Sequence, residues 1–202
     1  MSTLLIASTN PGKLIEIQEI LLDFPYPVQL LLPKDLGLTL DVVEDGHTYA
    51  ENASLKALAY AAASNLPVLA DDSGLEVLAL NGAPGLYSAR YAPQPGATDA
   101  DRRHYLLQNL RGQPRPWPAR FVCAVAICQP GGELYLSRGE CSGEIIPTEL
   151  GSNGFGYDPI FWIPERNQTM AQLASEEKNR ISHRANAVRS AFPTLEKLFA
   201  AS

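Results

Sequence analysis

Near the start of the chain a short apolar stretch, Leu4 to Ala7, gives way through Asn10-Pro11-Gly12-Lys13 to an amphipathic stretch, Leu14 to Leu22. This order of elements reads as strand, loop and helix. Asn10 is suited to cap a helix whose first residue is Pro11, and the unpaired N–H groups and positive dipole end of such a helix attract anions. Gly12 permits close backbone approach and Lys13 adds a flexible point charge. The loop is not of the Walker A type: the position five residues before Gly12 is Ala7, and Leu14 after Lys13 has no hydroxyl for a metal. Taken alone, the string also fits an ordinary capped helix with a surface lysine.

The same alternation continues along the chain. Val28 to Leu32 is extended, and a helix is expected from about Tyr49 to Ala63, opened by a capping box of Thr48 and Glu51 and carrying Ala53, Ala57, Leu58 and Ala61 at helical spacing. A strand at Pro67 to Ala70 leads into Asp71-Asp72-Ser73-Gly74, which places two carboxylates at a strand's carboxyl end, where α/β proteins bind ligands. Thr98 opens a helix running through Leu110. Phe121 to Cys128 is a continuous apolar run expected to be a buried strand, and Gln129-Pro130-Gly131-Gly132 turns it back into Glu133 to Ser142 as an antiparallel hairpin. The sheet is therefore expected to be mixed. Ile181, Ala185, Val188 and Phe192 form an apolar stripe on the closing helical segments.

With 202 residues and neither a Ser/Gly linker nor a long charge run, residues 1–202 read as one domain with room for two lobes. Charged residues make up 19% and the formal net charge is −6, which lacks the basic excess of a general nucleic-acid binder. An anionic ligand therefore needs a local basic pocket. Cys123, Cys128 and Cys141 are too few for a disulfide framework and are spaced unlike a zinc knuckle, so they read as core thiols. No apolar run reaches the length of a signal-peptide core or a membrane span, and a cytoplasmic protein is expected.

Chemistry is concentrated in a few strings. Adjacent carboxylates on extended backbone point to opposite sides, so one of Asp71 and Asp72 faces a site while the other pairs structurally. A carboxylate beside phosphates suits holding Mg²⁺ or orienting a water, and Glu44 or Asp45 could add a ligand; Asp-Asp-Ser-Gly also fits a plain turn. In Gly151-Ser152-Asn153-Gly154-Phe155-Gly156-Tyr157-Asp158-Pro159 the glycines let the main chain approach a flat ligand, with Phe155 stacking and Asp158 accepting from a base, although a mobile connector has the same composition. If Ser182 caps the last helix, His183 and Arg184 sit in its first turn, where positive side chains oppose the dipole unless an acceptor is near. Arg102 and Arg103 read as a solvated helix face.

In this order and at these separations, six strings resemble the ITP/XTP pyrophosphatase family (Ham1-like), which removes non-standard purine nucleotides. They are Ser8-Thr9-Asn10-Pro11-Gly12-Lys13, Thr48-Tyr49-Ala50-Glu51-Asn52-Ala53, Ala70-Asp71-Asp72-Ser73-Gly74, Gly82-Ala83-Pro84-Gly85-Leu86-Tyr87-Ser88-Ala89-Arg90-Tyr91, Gly154-Phe155-Gly156-Tyr157-Asp158-Pro159 and Glu177-Lys178-Asn179-Arg180-Ile181-Ser182-His183-Arg184. Where the family often has Thr-Gly, this chain has Ser8-Thr9. The resemblance implies an α/β fold with an elongated mixed β-sheet, flanking helices and two lobes around a nucleotide-binding cleft, usually as a homodimer. It implies that Ser8, Thr9, Asn10, Pro11, Gly12 and Lys13 hold phosphates with Lys56 and Arg90. Glu44 and Asp72 would hold Mg²⁺, Asp72 also being the proton acceptor, and Ser73 would touch the substrate. Phe155, Gly156, Tyr157, Asp158, Lys178, His183 and Arg184 would enclose the purine.

The expected reaction is attack of water on the α-phosphorus of ITP, dITP or XTP, releasing pyrophosphate and a monophosphate. Selectivity for 6-oxo purines is expected if Arg184 and nearby N–H groups donate to O6, because adenine would leave those donors unpaired. Two rivals remain at this level: a nucleotide-binding regulator that does not hydrolyse, and an enzyme that releases or transfers the γ-phosphoryl group.

Overall fold

The computed structural model describes residues 2–199. In chain order the elements are β1 (Ser2–Ile6), α1 (Pro11–Leu21), β2 (Val28–Leu31), α2 (Tyr49–Ser64), β3 (Val68–Val77), α3 (Asp99–Asn109), β4 (Trp117–Cys128), β5 (Leu134–Ile145), β6 (Phe161–Ile163), β7 (Gln168–Thr169), α4 (Ser175–Ile181), α5 (His183–Ser190) and α6 (Phe192–Phe199). The strands form a seven-stranded sheet in the order β2-β1-β3-β4-β5-β6-β7. β1 is parallel to β2, with Leu5 opposite Leu31, and parallel to β3, with Leu5 opposite Val68. Parallel neighbours need crossovers, which α1 and α2 supply. The short link from Cys128 to Leu134, in which Gln129 N–H donates to Glu133 O at 2.9 Å, can only return β5 antiparallel to β4. β5–β6 and β6–β7 are antiparallel, so the sheet is mixed, as expected.

The chain forms two compact units. The first comprises Met1–Asp72, Cys123–Gly139 and His183–Ser202, the second Ser73–Val122 and Glu140–Ser182. In the first, β1 is buried on both faces: Leu4 and Ile6 pack with Ile17, Ile20, Val125, Ile127 and Val188, whereas Leu5 and Ala7 pack with Ala53, Ala57, Tyr60 and Ala126. This double burial explains the unbroken apolar run of β4. The second unit has its own core around Leu75, Leu106, Leu110, Phe121, Phe161 and Met170.

Three expectations need correction. β3 does not end before Asp71 but runs on through Asp-Asp-Ser-Gly to Val77, ten residues in all. Leu75 and Val77 are fully buried, and the Asp71 charge is compensated by cations, so the usual objection to carboxylates inside a strand is removed. The α2 capping box is only half made. Thr48 accepts from Glu51 N–H at 3.1 Å, but the Glu51 carboxylate turns to His47 N–H at 2.6 Å. The closing stripe also divides: Ala185, Val188 and Phe192 serve the core of the first unit, while Ile181 packs in the second, because extended backbone at Ser182 separates α4 from α5.

Candidate active site

In the first unit the anion loop has the form its sequence dictates. Asn10 caps α1, its Oδ1 accepting from Lys13 N–H at 3.1 Å, and Pro11 is the first helical residue. Ser8 Oγ accepts from Asn10 N–H at 3.3 Å, which tightens the approach from β1. Thr9, Asn10 and Pro11 are exposed and Ser8, Gly12 and Lys13 are half-buried, so the positive end of α1 faces outward.

Beneath it lies an ion network. Asp71 is fully buried, with Lys13 Nζ 3.1 Å and Arg184 Nε 3.3 Å from Oδ2; Arg184 also pairs with Glu16. On the other side of the strand, Lys56 Nζ lies 3.0 Å from Glu44 Oε2 and 4.0 Å from Asp72 Oδ1. The two adjacent aspartates have thus separated as strand alternation requires. Burial opposes ionisation of Asp71, yet Lys13, Arg184 and Lys56 hold its carboxyl well below the usual range. Burial raises the Asp72 carboxyl above its ordinary value despite Lys56 and Lys13. Burial alone would lower the Lys56 ammonium, but Asp71, Asp72 and Glu44 together push it up.

The carboxylates of Glu16, Glu44, Asp71 and Asp72 outnumber the cations of Lys13, Lys56 and Arg184 in this network. A phosphate chain approaching it needs further positive charge. Glu44 and Asp72 converge on one ammonium, which marks a point where hard oxygen donors face a cation. Two carboxylates suffice for Mg²⁺, which fills its remaining positions with water and phosphate oxygens. The residues therefore fit a divalent cation, although no group of three His, Cys, Asp or Glu among the described residues forms an all-protein metal cage.

Asn52, which composition and spacing did not single out, fixes Asp72. Its Nδ2 donates to Asp72 Oδ2 at 3.1 Å while its Oδ1 accepts from Gly46 N–H at 2.9 Å, so the backbone sets which way the amide faces. Replacing Asn52 by Leu removes both bonds and with them one restraint on the orientation of the Asp72 carboxylate. A fall in kcat of about 10- to 100-fold, with KM changed less than about threefold, is expected from steady-state kinetics. Equal effects on both constants would refute a positioning role.

The second unit carries the glycine-rich loop. Asp158, 3% exposed, pairs with Lys178, 4% exposed, and accepts from Phe155 N–H at 2.9 Å. The Lys178 ammonium lies 5.0 Å from the centre of the Phe155 ring, a cation–π contact beneath a half-buried aromatic face. Only glycine fits at position 154: φ is +73°, and an added Cβ would lie 2.1 Å from Asp158 Oδ2. The arrangement presents a flat aromatic surface held by a buried ion pair, which suits stacking of a base.

A model of the Ham1 family matches residues 4–194. The chain belongs to the Ham1 family. It is 49% identical over 188 residues to a dITP/XTP pyrophosphatase of Synechocystis sp., covering 93% of this chain and 92% of that protein. A dITP/XTP pyrophosphatase of Desulforamulus reducens is 45% identical, over 97% of this chain and 96% of its own length. Among solved structures, the HAM1 protein from Coxiella burnetii superposes with a TM-score of 0.87 at 39% identity, covering 98% of this chain and all (100%) of that one.

Within this Ham1 chain the expected site residues have varied surroundings. Lys13, Lys56, Glu44 and Asp72 gather in the first unit, and Phe155, Asp158 and Lys178 in the second. Gly156 is half-buried beside Phe155, and Ser73 is half-buried next to Asp72 in β3. Arg90 is exposed, its guanidinium 5.2 Å over the Tyr87 ring. Tyr157 turns inward: its buried hydroxyl donates to Ser88 O at 2.9 Å, so it anchors the loop from below. His183 is 5% exposed at the start of α5.

Arg184 is 1% exposed and its guanidinium pairs with Glu16 and Asp71. The mismatch between its charge and the start of a helix is compensated by carboxylates of α1 and β3.

Proposed function

We propose that the protein hydrolyses non-standard purine nucleoside triphosphates, namely ITP, dITP and XTP, to the monophosphate and pyrophosphate, with Mg²⁺ held by Glu44 and Asp72. The reading is carried by the Glu44–Lys56–Asp72 array in a chain 45% and 49% identical to two dITP/XTP pyrophosphatases. Bound Mg²⁺ supplies charge neutralisation on phosphate oxygens. The N-terminal end of α1, from Ser8 to Lys13, receives phosphate oxygens through backbone N–H groups and the lysine ammonium. Lys56 adds positive charge, and Arg90 is available for the same purpose. Asp72, oriented by Asn52, accepts the proton of the attacking water. Phe155 stacks on the purine, Gly156 lets the chain approach it, and Asp158 with Lys178 keeps the ring in place. Ser73, Tyr157, His183 and Arg184 complete the proposed set.

The protein is proposed to act as a homodimer in the cytoplasm and without nucleic acid. No helix among the described residues is long and apolar enough to cross a membrane. The test is to incubate the protein and Mg²⁺ separately with ITP, XTP, GTP and ATP, measuring pyrophosphate and orthophosphate. Pyrophosphate from ITP and XTP, with at least about tenfold less from ATP and GTP, is expected. Orthophosphate release would place the attack at another phosphorus, and no release from any of the four would favour a binding protein.

A further inference from the structure

The glycine-rich loop is held from one side by α3. Asp99 and Arg103, one turn apart and therefore on one face of the helix, grip the two backbone groups of a single residue: Gly156 N–H donates to Asp99 Oδ2 at 2.8 Å, and Arg103 Nη1 donates to Gly156 O at 2.8 Å. Gly156 has φ +62°, a left-handed conformation that glycine adopts without strain. Arg103 is itself fixed, its Nε and Nη2 each 2.9 Å from an oxygen of Glu149, in a two-pronged contact that locks the guanidinium plane. Asp99 is steadied by Arg102, which also donates to Ala97 O at 2.8 Å. The pair that reads in sequence as a solvated helix face is therefore tied to the loop and to the start of its own helix. Gly156 adjoins Phe155, whose N–H is bound by Asp158.

We infer that Asp99 and Arg103 are positioning residues that preset the base-binding loop, and through it set purine affinity and the discrimination between bases. The inference rests on the proposed role of Phe155 in stacking the purine. A loop free to move would have to be ordered by each ligand, and that cost falls on binding rather than on the chemical step. Loosening the clamp therefore raises KM and leaves kcat nearly unchanged.

Asp99→Ala removes the acceptor for Gly156. Asp99→Asn keeps an acceptor oxygen while losing the charge paired with Arg102, and so separates the clamp from a general effect on α3. Arg103→Leu releases the carbonyl and Glu149 together. In Asp99→Ala and Arg103→Leu, KM for ITP is expected to rise about tenfold with kcat within about twofold, and the ratio of kcat/KM for ITP over ATP to fall. Asp99→Asn is expected to stay within about threefold of wild type. Hydrogen exchange without ligand should be at least about tenfold faster in the 151–158 loop of Asp99→Ala and unchanged in Asp99→Asn.

Unaltered loop exchange in Asp99→Ala, or Asp99→Asn behaving as Asp99→Ala, overturns the inference; so does a fall confined to kcat. If wild type releases no pyrophosphate from ITP, the proposed activity fails separately. Loop exchange together with calorimetric binding of inosine monophosphate then decides the clamp: about tenfold weaker binding in Asp99→Ala and Arg103→Leu but not in Asp99→Asn supports it, and equal binding in all forms rejects it.

Discussion

Asp72→Asn is expected to lower kcat for pyrophosphate release from ITP by at least about 10³-fold while leaving a folded protein that still binds nucleotide. The amide can keep the bond from Asn52, since its oxygen still accepts, but it can neither take a proton nor give a divalent cation a charged ligand. Its NH₂ group also turns a donor toward Lys56, which stands 4.0 Å from the carboxylate it replaces. Stability should move the other way. Burial raises the proton affinity of Asp72 in the fold, so the ionised form is disfavoured there, and a neutral isostere should unfold at the same temperature or slightly higher. Activity lost together with stability would mean that Asp72 supports the structure. Near-normal turnover in a stable variant would remove it from the mechanism. Thermal melting and single-turnover hydrolysis, measured on one preparation, separate these outcomes.

The ease of reading different parts of this chain from sequence follows from how local their causes are. Asn10-Pro11 before an amphipathic run suffices to start α1, and Thr98 with Asp101 suffices to start α3, because a cap acts within one turn. The unbroken apolar run of β4 likewise reports its burial directly. Asp71-Asp72-Ser73-Gly74 has the composition of a turn, and its strand conformation depends on Lys13 and Arg184, the latter 113 residues away. A separation of 168 residues likewise hid Glu16 as the partner of Arg184. Local reasoning identified the unfavourable position of a cation at the start of α5, but the compensating charge came from the fold. Asn52 was visible only as part of a family string; its use depends on the Gly46 N–H that turns its amide toward Asp72. Arg103 shows the same limit, since its helix gives no sign that a loop 53 residues away supplies the carbonyl it binds.

Arg184→Leu is expected to destabilise the fold by about 3–5 kcal/mol in urea unfolding at pH 7, the cost of removing one member from a buried ion network. Arg184 is 1% exposed, and its loss leaves Glu16 without the guanidinium and Asp71 with Lys13 as its nearest remaining cation. The double change Glu16→Leu with Arg184→Leu should recover part of the loss, because it removes the stranded carboxylate as well as the cation. The pH dependence gives an independent check. In wild type, burial opposes Asp71 ionisation but Lys13 and Arg184 hold its carboxyl below the ordinary value of 3.8. Its contribution is therefore present in full above that value and is lost only as pH falls further. In Arg184→Leu, Glu16 lacks the guanidinium and Asp71 keeps Lys13 without Arg184, so these carboxylates bind protons more readily than in the wild-type fold, and acidification from pH 7 to about 5 relieves the variant before it affects wild type. The stability gap should narrow over that interval. A gap that stays constant with pH would assign the loss to the missing side-chain volume, whereas narrowing identifies the uncompensated charge as its cause.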